Sequence, residues 1–210
     1  MDGKYLSSAS SNLIIHTAVD ALAHCVESRL HTKANVYNHM FSEYGLALWS
    51  RLVPALTQLA GQKDKTPADL LSEEDREALM LASTVAGMAI AQTSTSLPHA
   101  ISYEITYNQG VPHGMACGIF LAAYMDEYAR NNAEDVNRVL SLLGFPSTDD
   151  LGAFLRKILG TVTITEAECD LYADKVMANA SKLSTYPFAI DRDGICLLYT
   201  SDAADDRISV

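Results

Sequence analysis

Helical periodicity along most of the chain is the sequence feature that most constrains its fold. Between residues 17 and 30, apolar side chains recur three or four positions apart, at Val19, Leu22, Val26 and Leu30, which is the spacing of one helix face. Few windows alternate with the period of two that β-strands show. With 49% apolar residues among 210, the chain can bury a sizeable core. The sequence therefore predicts an all-α fold, a helical bundle.

Capping residues and prolines divide this periodicity into separate helices. Pro54 is expected to kink or end the second helix, because proline removes a helical hydrogen bond. Ser72 precedes three acidic residues and is a candidate N-cap, and Thr165 with Glu168 forms a capping box. The predicted helices cover about residues 17–30, 35–54, 72–91, 98–108, 112–130 and 165–184, with a last one expected to begin after residue 191.

Charge, hydropathy and cysteine usage limit the partners and the compartment. The net charge of −11 argues against nucleic acid as a partner, because phosphate binding needs a concentrated basic surface. The apolar runs fall far short of the roughly twenty residues of a membrane span, and no secretory signal follows Met1. The four cysteines are widely spaced and form no CxxC pair, which is typical of free thiols in a reducing compartment. We expect a cytoplasmic protein without a membrane partner.

Asp20 and His24 are the first candidate metal-binding pair. They lie four residues apart on the first predicted helix, so both side chains project from one face, one turn apart. Their neighbours Ala21, Leu22 and Ala23 are small or apolar, which indicates a buried face. An ordinary hydrogen-bonded pair is the competing interpretation of this spacing.

His99 and His113 are the second candidate pair. Each follows a proline, Pro98 or Pro112, and is expected near a helix N-terminus. The positive end of a helix disfavours imidazolium, so each ring should be neutral and able to bind a metal. Gly114 is expected to leave room beside His113 for a substrate or cofactor. Capping or core histidines are the alternative, but three imidazoles with one carboxylate make a plausible site for a divalent transition metal.

The other three histidines receive no functional role. His31 and His39 are expected on the surface, and His16 is expected to help start the first helix.

Two segments of the chain resemble signatures of the iron-containing (group III) alcohol dehydrogenases. Residues 16–30, HTAVDALAHCVESRL, are similar to that family's first metal-binding helix. Residues 86–125 are similar to its second signature, including the spacing of fourteen between the two histidines and the Pro-His-Gly ending. A weaker resemblance extends over residues 1–195. The resemblance implies four metal ligands: Asp20, His24, His99 and His113.

Two of the chain's departures from the family pattern bear on its chemistry. Tyr103 stands where many members carry a further histidine thought to lie beside the nicotinamide, so it is the one further candidate catalytic residue, with a packed helix tyrosine as the alternative. The family's N-terminal α/β cofactor domain is not recognisable, because no G-x-G-x-x-G motif or P-loop occurs. Residues 1–195 are therefore expected to form the metal-binding half of a two-domain dehydrogenase, without the half that holds the cofactor.

The resemblance implies a metal-dependent alcohol dehydrogenase, or aldehyde or ketone reductase, that transfers hydride with NAD or NADP. The expected metal is Fe²⁺, with Zn²⁺ as an alternative, since the Irving–Williams order favours zinc in such a site. The expected substrate is a small alcohol or aldehyde, and a homo-oligomer is left open. Three alternatives compete: an enzyme of the glycerol dehydrogenase or dehydroquinate synthase type, a His/Asp phosphohydrolase, and a non-catalytic helical fragment. The phosphohydrolase is disfavoured because the sequence has no His-Asp dipeptide.

The last fifteen residues break the pattern. Residues 196–205, CLLYTSDAAD, resemble the translation of a transposon-based sequencing adaptor. We therefore predict that residues 196–210 are a foreign tail that adds nothing to the fold.

Overall fold

Every regular element is helical in the residues that this computed structural model describes, 2–62 and 65–200. The predicted all-α fold is thereby confirmed. A short 3-10 turn at Gly3–Leu6 precedes the α-helices. These are α1 (Ser11–Arg29), α2 (Val36–Gly61), α3 (Pro67–Leu70), α4 (Glu73–Thr93), α5 (Leu97–Gln109), α6 (His113–Gly118), α7 (Leu121–Ala129), α8 (Ala133–Leu143), α9 (Thr148–Leu159), α10 (Glu166–Met177), α11 (Ala180–Leu183) and α12 (Arg192–Thr200).

Helix α1 is the central element of the bundle. It packs against α2, α4 and α6, and α2 and α4 also pack against each other. Leu22, Ala23 and Val26 are completely buried, because a helix surrounded by other helices needs apolar side chains on more than one face. The polar residues of α1 that lie inside this core therefore need partners there.

The sequence predicts that the second helix kinks or ends at Pro54, and the structure shows that it does not end there. Helix α2 continues through Pro54 to Gly61. The proline ring is exposed, while Leu52, Leu56 and Leu59 on the opposite face are buried. Burial of that apolar face outweighs the one hydrogen bond that proline removes, and the freed carbonyl of the preceding turn can bind water.

Two predicted helices are each divided into two shorter ones. The helix expected over 112–130 is interrupted between α6 and α7 at Ile119 and Phe120. Gly118 precedes the break, and a Cβ there would lie 2.3 Å from Cγ1 of Val19, so the close approach to α1 excludes a larger helix former. The helix expected over 165–184 ends as α10 at Met177 and resumes as α11.

The last described helix contradicts part of the tail prediction. Helix α12 runs through Thr200, and Leu198 and Tyr199 are 1% and 0% exposed. The Tyr199 ring lies 5.3 Å from the ring of Phe120 and 5.9 Å from that of Tyr172, measured between centroids. The expectation that the tail adds nothing to the fold is therefore wrong for Leu198 and Tyr199, because both side chains are buried in the hydrophobic core. Residues 201–210 lie outside the described residues.

Two further properties of the described chain bear on the sequence predictions. No described helix combines the length and hydropathy needed to cross a bilayer. No disulfide joins the four cysteines, all of which lie among the described residues.

Candidate metal centre

Asp20 of α1 is the common neighbour of three imidazoles. Its Oδ1 atom lies 3.3 Å from Nε2 of His99, 3.7 Å from Nε2 of His24 and 3.7 Å from Nε2 of His113. The His24 and His99 rings stack at 4.7 Å, and the His99 and His113 rings meet edge to face at 5.1 Å. The structure thus brings together all four residues predicted as metal ligands.

Three helices position these side chains. Asp20 and His24 are one turn apart on α1, His99 lies in the first turn of α5, and His113 is the first residue of α6. Helix α6 packs against both α1 and α5, which brings the two proline-histidine segments to the same face of α1. The cluster therefore depends on the packing of these helices and not on a single local motif.

The distances from Asp20 Oδ1 to the three imidazole nitrogens are compatible with a shared metal ion, although the mutually close group of ligand atoms comprises Asp20, His99, His113 and Cys117 without His24. Ligands bound at about 2.0–2.2 Å in a tetrahedron lie about 3.4 Å from one another, close to the 3.3–3.7 Å between Asp20 Oδ1 and the three nitrogen atoms. Asp20 Oδ1 and His99 Nε2 are also buried without a hydrogen-bond partner. Such atoms are costly to bury unless a ligand satisfies them, and a cation between them would do so.

Glu27 supports this cluster and is not among the residues predicted from the sequence. It is completely buried, and its Oε1 atom lies 2.5 Å from Nδ1 of His99. The backbone N–H of Ser96 donates to its other carboxylate oxygen. Glu27 follows Asp20 by seven residues and His24 by three, so one helix face carries all three. That spacing is the signal in the sequence, because a carboxylate on a buried helix face needs a partner.

Cys117 is a second residue without a predicted role. Together with Asp20, His99 and His113 it offers ligand atoms that all lie within 4.8 Å of one another. Its Sγ atom is 3.7 Å from Nε2 of His113, one turn earlier on α6. Burial raises the pKa of the Cys117 thiol, so it stays protonated at neutral pH when no cation is bound. The thiol therefore borders the cluster as a soft and uncharged group.

The pKa shifts at the cluster set His99 apart from the other two imidazoles. Burial by itself would lower the pKa of His99, but the carboxylates of Glu27 and Asp20 outweigh it and raise that pKa far above its usual value. Burial lowers the pKa values of His24 and His113. Burial disfavours ionised Asp20, yet its contacts with the imidazoles hold its pKa below the usual value. A divalent cation would take the place of the His99 proton.

Tyr103 lies beside the cluster on α5. Its ring is nearly parallel to that of His113, with 5.9 Å between centroids and an angle of 10°, and it meets His99 edge to face at 6.5 Å. The side chain is 45% exposed. The ammonium of Lys182 also lies 5.7 Å from the centroid of the Tyr103 ring. Tyr103 is thus neither a packed core residue nor within the group of donor atoms.

Gly114 serves a different purpose from the one predicted. A Cβ at this position would lie 1.9 Å from the carbonyl oxygen of His16, which is backbone that cannot move aside cheaply. The glycine lets α6 approach α1 and does not leave space for a substrate. His16 itself lies inside α1, which begins five residues earlier at Ser11, so it does not start that helix.

His31 also departs from its prediction as a surface residue. It is 4% exposed, its Nε2 lies 3.2 Å from Oγ of Ser94, and its Nδ1 accepts a hydrogen bond from the backbone N–H of Lys33. His39 is half-buried on α2. The His31 ring folds back onto the bundle, where it satisfies polar groups of the neighbouring loops.

The known proteins that are similar to this chain include dehydrogenases and a reductase. The 4-hydroxybutyrate dehydrogenase of Clostridium kluyveri is 25% identical over 195 residues, which are 86% of this chain and 50% of that protein. The phosphonoacetaldehyde reductase of Streptomyces viridochromogenes is 42% identical over 67 residues, or 32% of this chain and 17% of the relative. An iron-containing alcohol dehydrogenase from Thermotoga maritima superimposes with a TM-score of 0.81 at 27% identity, over 96% of this chain and 52% of that structure.

The chain spans about half the length of the 4-hydroxybutyrate dehydrogenase and of the Thermotoga maritima structure. Its residues 14–202 match the sequence profile of the Fe-containing alcohol dehydrogenase family, C-terminal. Because that match covers most of the chain, the protein belongs to the Fe-containing alcohol dehydrogenase family.

Proposed function

We propose that this chain is the metal-binding half of an alcohol dehydrogenase, or aldehyde or ketone reductase, that works with NAD or NADP. The observation that carries the proposal is the group of three imidazole nitrogens within 3.7 Å of one buried carboxylate oxygen. Membership of the family and the dehydrogenase names of its relatives support it. The substrates in those names differ, with 4-hydroxybutyrate in one and 1-propanol in another, so the class proposed at this stage is a small alcohol or its carbonyl counterpart.

Asp20, His24, His99 and His113 are the proposed ligands of Fe²⁺, with Zn²⁺ as the alternative. When bound, such an ion is a Lewis acid that lowers the pKa of an alcohol or polarises a carbonyl, while the nicotinamide accepts or supplies the hydride. Asp20 contributes negative charge to the centre, and Glu27 holds the Nδ1 side of His99 so that its Nε2 atom faces Asp20. Tyr103 lines the exposed side of His113, where a substrate would approach.

The proposed cofactor and oligomer concern the whole protein. Because the chain matches about half of its relatives' length, we expect residues 1–210 by themselves to bind metal but to show little or no alcohol oxidation. We propose a cytoplasmic enzyme for the whole protein, with a homo-oligomer left open.

Metal titration of the purified chain tests the ligand set. Co²⁺ is a suitable probe because its visible absorption reports tetrahedral nitrogen and oxygen ligands. We expect one ion per chain. Loss of a residue that only orients a metal ligand weakens metal binding by roughly 10–100-fold. Replacing a ligand itself, as in His113→Gln or His24→Gln, should weaken Co²⁺ binding by more than this. His39→Gln, on α2, is the matched control. Equal Co²⁺ affinity in all three variants would exclude this ligand set.

A further inference from the structure

We propose that Lys182 forms an anion-binding subsite beside the metal centre, so that the substrate is an alcohol or aldehyde with a carboxylate or similar anionic group at its far end. This inference rests on the proposed function, because it assumes that the reacting oxygen binds at the Asp20 centre. It names a narrower substrate class than the fold or the ligand set requires.

Lys182 is held against the loop that leads into the metal centre. It lies in α11, and its ammonium donates to the carbonyl oxygen of Thr95 at 3.2 Å and to Oγ1 of the same residue at 2.5 Å. Thr95 belongs to the three-residue connection between α4 and α5, four residues before His99. A side chain from a distant part of the sequence is therefore anchored beside the candidate site.

Tyr103 connects this ammonium to the imidazoles. The Lys182 ammonium lies 5.7 Å from the centroid of the Tyr103 ring, and the same ring is stacked on His113. Tyr103 is 45% exposed and Lys182 is half-buried, so both border space that a ligand can reach. The Tyr103 ring thus contacts both the Lys182 ammonium and the His113 imidazole, so a substrate that extends past this ring from the metal centre would place its far end at the ammonium.

No carboxylate of the described residues neutralises the charge on Lys182. Among the residues that the structure describes, no Asp or Glu forms an ion pair with it, whereas Lys175, also in this region, contacts Glu104 at 2.5 Å. An ammonium has three donors, and Thr95 receives two of them. The third can be donated to an anion, and such charge-assisted bonds are stronger than bonds between neutral groups.

Ligand binding to the Co²⁺-loaded chain tests the inference without requiring turnover. The probes are γ-hydroxybutyrate, its neutral counterpart n-butanol, and isethionate, which carries a sulfonate. Binding is followed by calorimetry and by the change in the Co²⁺ spectrum. We expect the hydroxy acid to bind more tightly than butanol, and Lys182→Gln to weaken its binding by about tenfold, as for one hydrogen bond to a charged group. Comparison with isethionate distinguishes a carboxylate-selective subsite from a general anion subsite.

Lys182→Arg and Lys175→Gln are the controls. The arginine variant should keep most of the affinity for the hydroxy acid, Lys175→Gln should keep all of it, and butanol binding should be the same in every variant. A normal Co²⁺ spectrum with no effect of Lys182→Gln would overturn this inference and leave the proposed function intact. Absence of the Co²⁺ spectrum in the unmodified chain would overturn both.

Discussion

At the scale of single residues, Glu27 is the group that fixes the geometry of the candidate centre. It accepts from the backbone of Ser96 and contacts Nδ1 of His99, so the His99 proton sits on Nδ1 when the ring is neutral. Nε2 is then the nitrogen that faces Asp20. A carboxylate partner of this kind orients a metal-binding histidine and increases its basicity.

Replacing Glu27 with Gln should weaken metal binding by about 10–100-fold. The amide keeps the shape of the side chain but removes the charge that raises the pKa of His99. Metal must displace the His99 proton, so affinity in the unmodified chain should rise with pH, and the rise should move to lower pH in Glu27→Gln. Competition titrations with Zn²⁺ at several pH values measure both effects.

Glu77→Gln is the control for that variant, because Glu77 is exposed on α4. Identical affinity and pH dependence in the two glutamine variants would mean that Glu27 does not act on the ligand set.

The sequence alone predicts some residues of the candidate site and misses others. Asp20 and His24 can be predicted because side chains four residues apart on a helix lie on the same face. Glu27 has the same kind of spacing, but its role depends on burial and on the distant Ser96 backbone, which no local pattern reports. His31 was expected at the surface for the same reason, since its partner Ser94 is sixty-three residues away.

At the scale of helices, the contact between α1 and α6 sets the position of His113. Gly114 permits it, because any side chain there would collide with the His16 carbonyl. The function of this glycine could not be read from the sequence, since the space that it provides is occupied by another helix.

Gly114→Ala should destabilise the chain by at least the 1–3 kcal/mol typical of overpacking. Gly87→Ala is the matched control, because nothing lies within 4 Å of a Cβ at that exposed helical position, and it should stabilise by up to about 1 kcal/mol. Denaturant unfolding compares the two, and a Gly114→Ala chain as stable as the unmodified one would contradict the close approach of α1 and α6.

Helix α12 provides a second test at this scale. Leu198 is 1% exposed and Leu197 is 47% exposed on the same helix. Leu198→Ala should lower the free energy of unfolding by about 2–5 kcal/mol, and Leu197→Ala by much less. If both substitutions have equally small effects in thermal unfolding, the tail does not belong to the folded bundle.

Tertiary packing explains why both α12 and Pro54 departed from expectation. Local signals ended the second helix at the proline and stopped the last one near residue 195. Apolar faces that pack against distant helices extended both, as burial commonly overrides local propensity. The similarity of residues 196–205 to an adaptor translation remains a prediction about the origin of that segment and is separate from its packing.

At the scale of the whole molecule, a cluster of aromatic rings packs α7 against the segment that follows α11. Tyr124 and Tyr128 of α7 contact Tyr186, with centroids 5.8 and 5.9 Å away, and Tyr128 also meets Phe188 at 5.0 Å. All three tyrosines are buried. Burial raises the pKa of Tyr128 to about 12 and moves those of Tyr124 and Tyr186 further upward. Their hydroxyls therefore stay protonated in the folded state.

These raised pKa values make the fold sensitive to alkaline pH. An unfolded tyrosine loses its proton near pH 10, so the stabilising effect of keeping the hydroxyl protonated is complete below about pH 10 and is lost as pH rises through the folded-state values. Each buried tyrosine should then reduce the free energy of unfolding by about 1.4 kcal/mol per pH unit. Urea unfolding at increasing pH should show this decline, together with tyrosinate absorption that appears as the chain unfolds. Tyr186→Phe should make the decline shallower, whereas Tyr107→Phe, at a position that is 86% exposed, should not. A free energy of unfolding that stays constant above pH 10 would mean that the aromatic cluster is open to solvent.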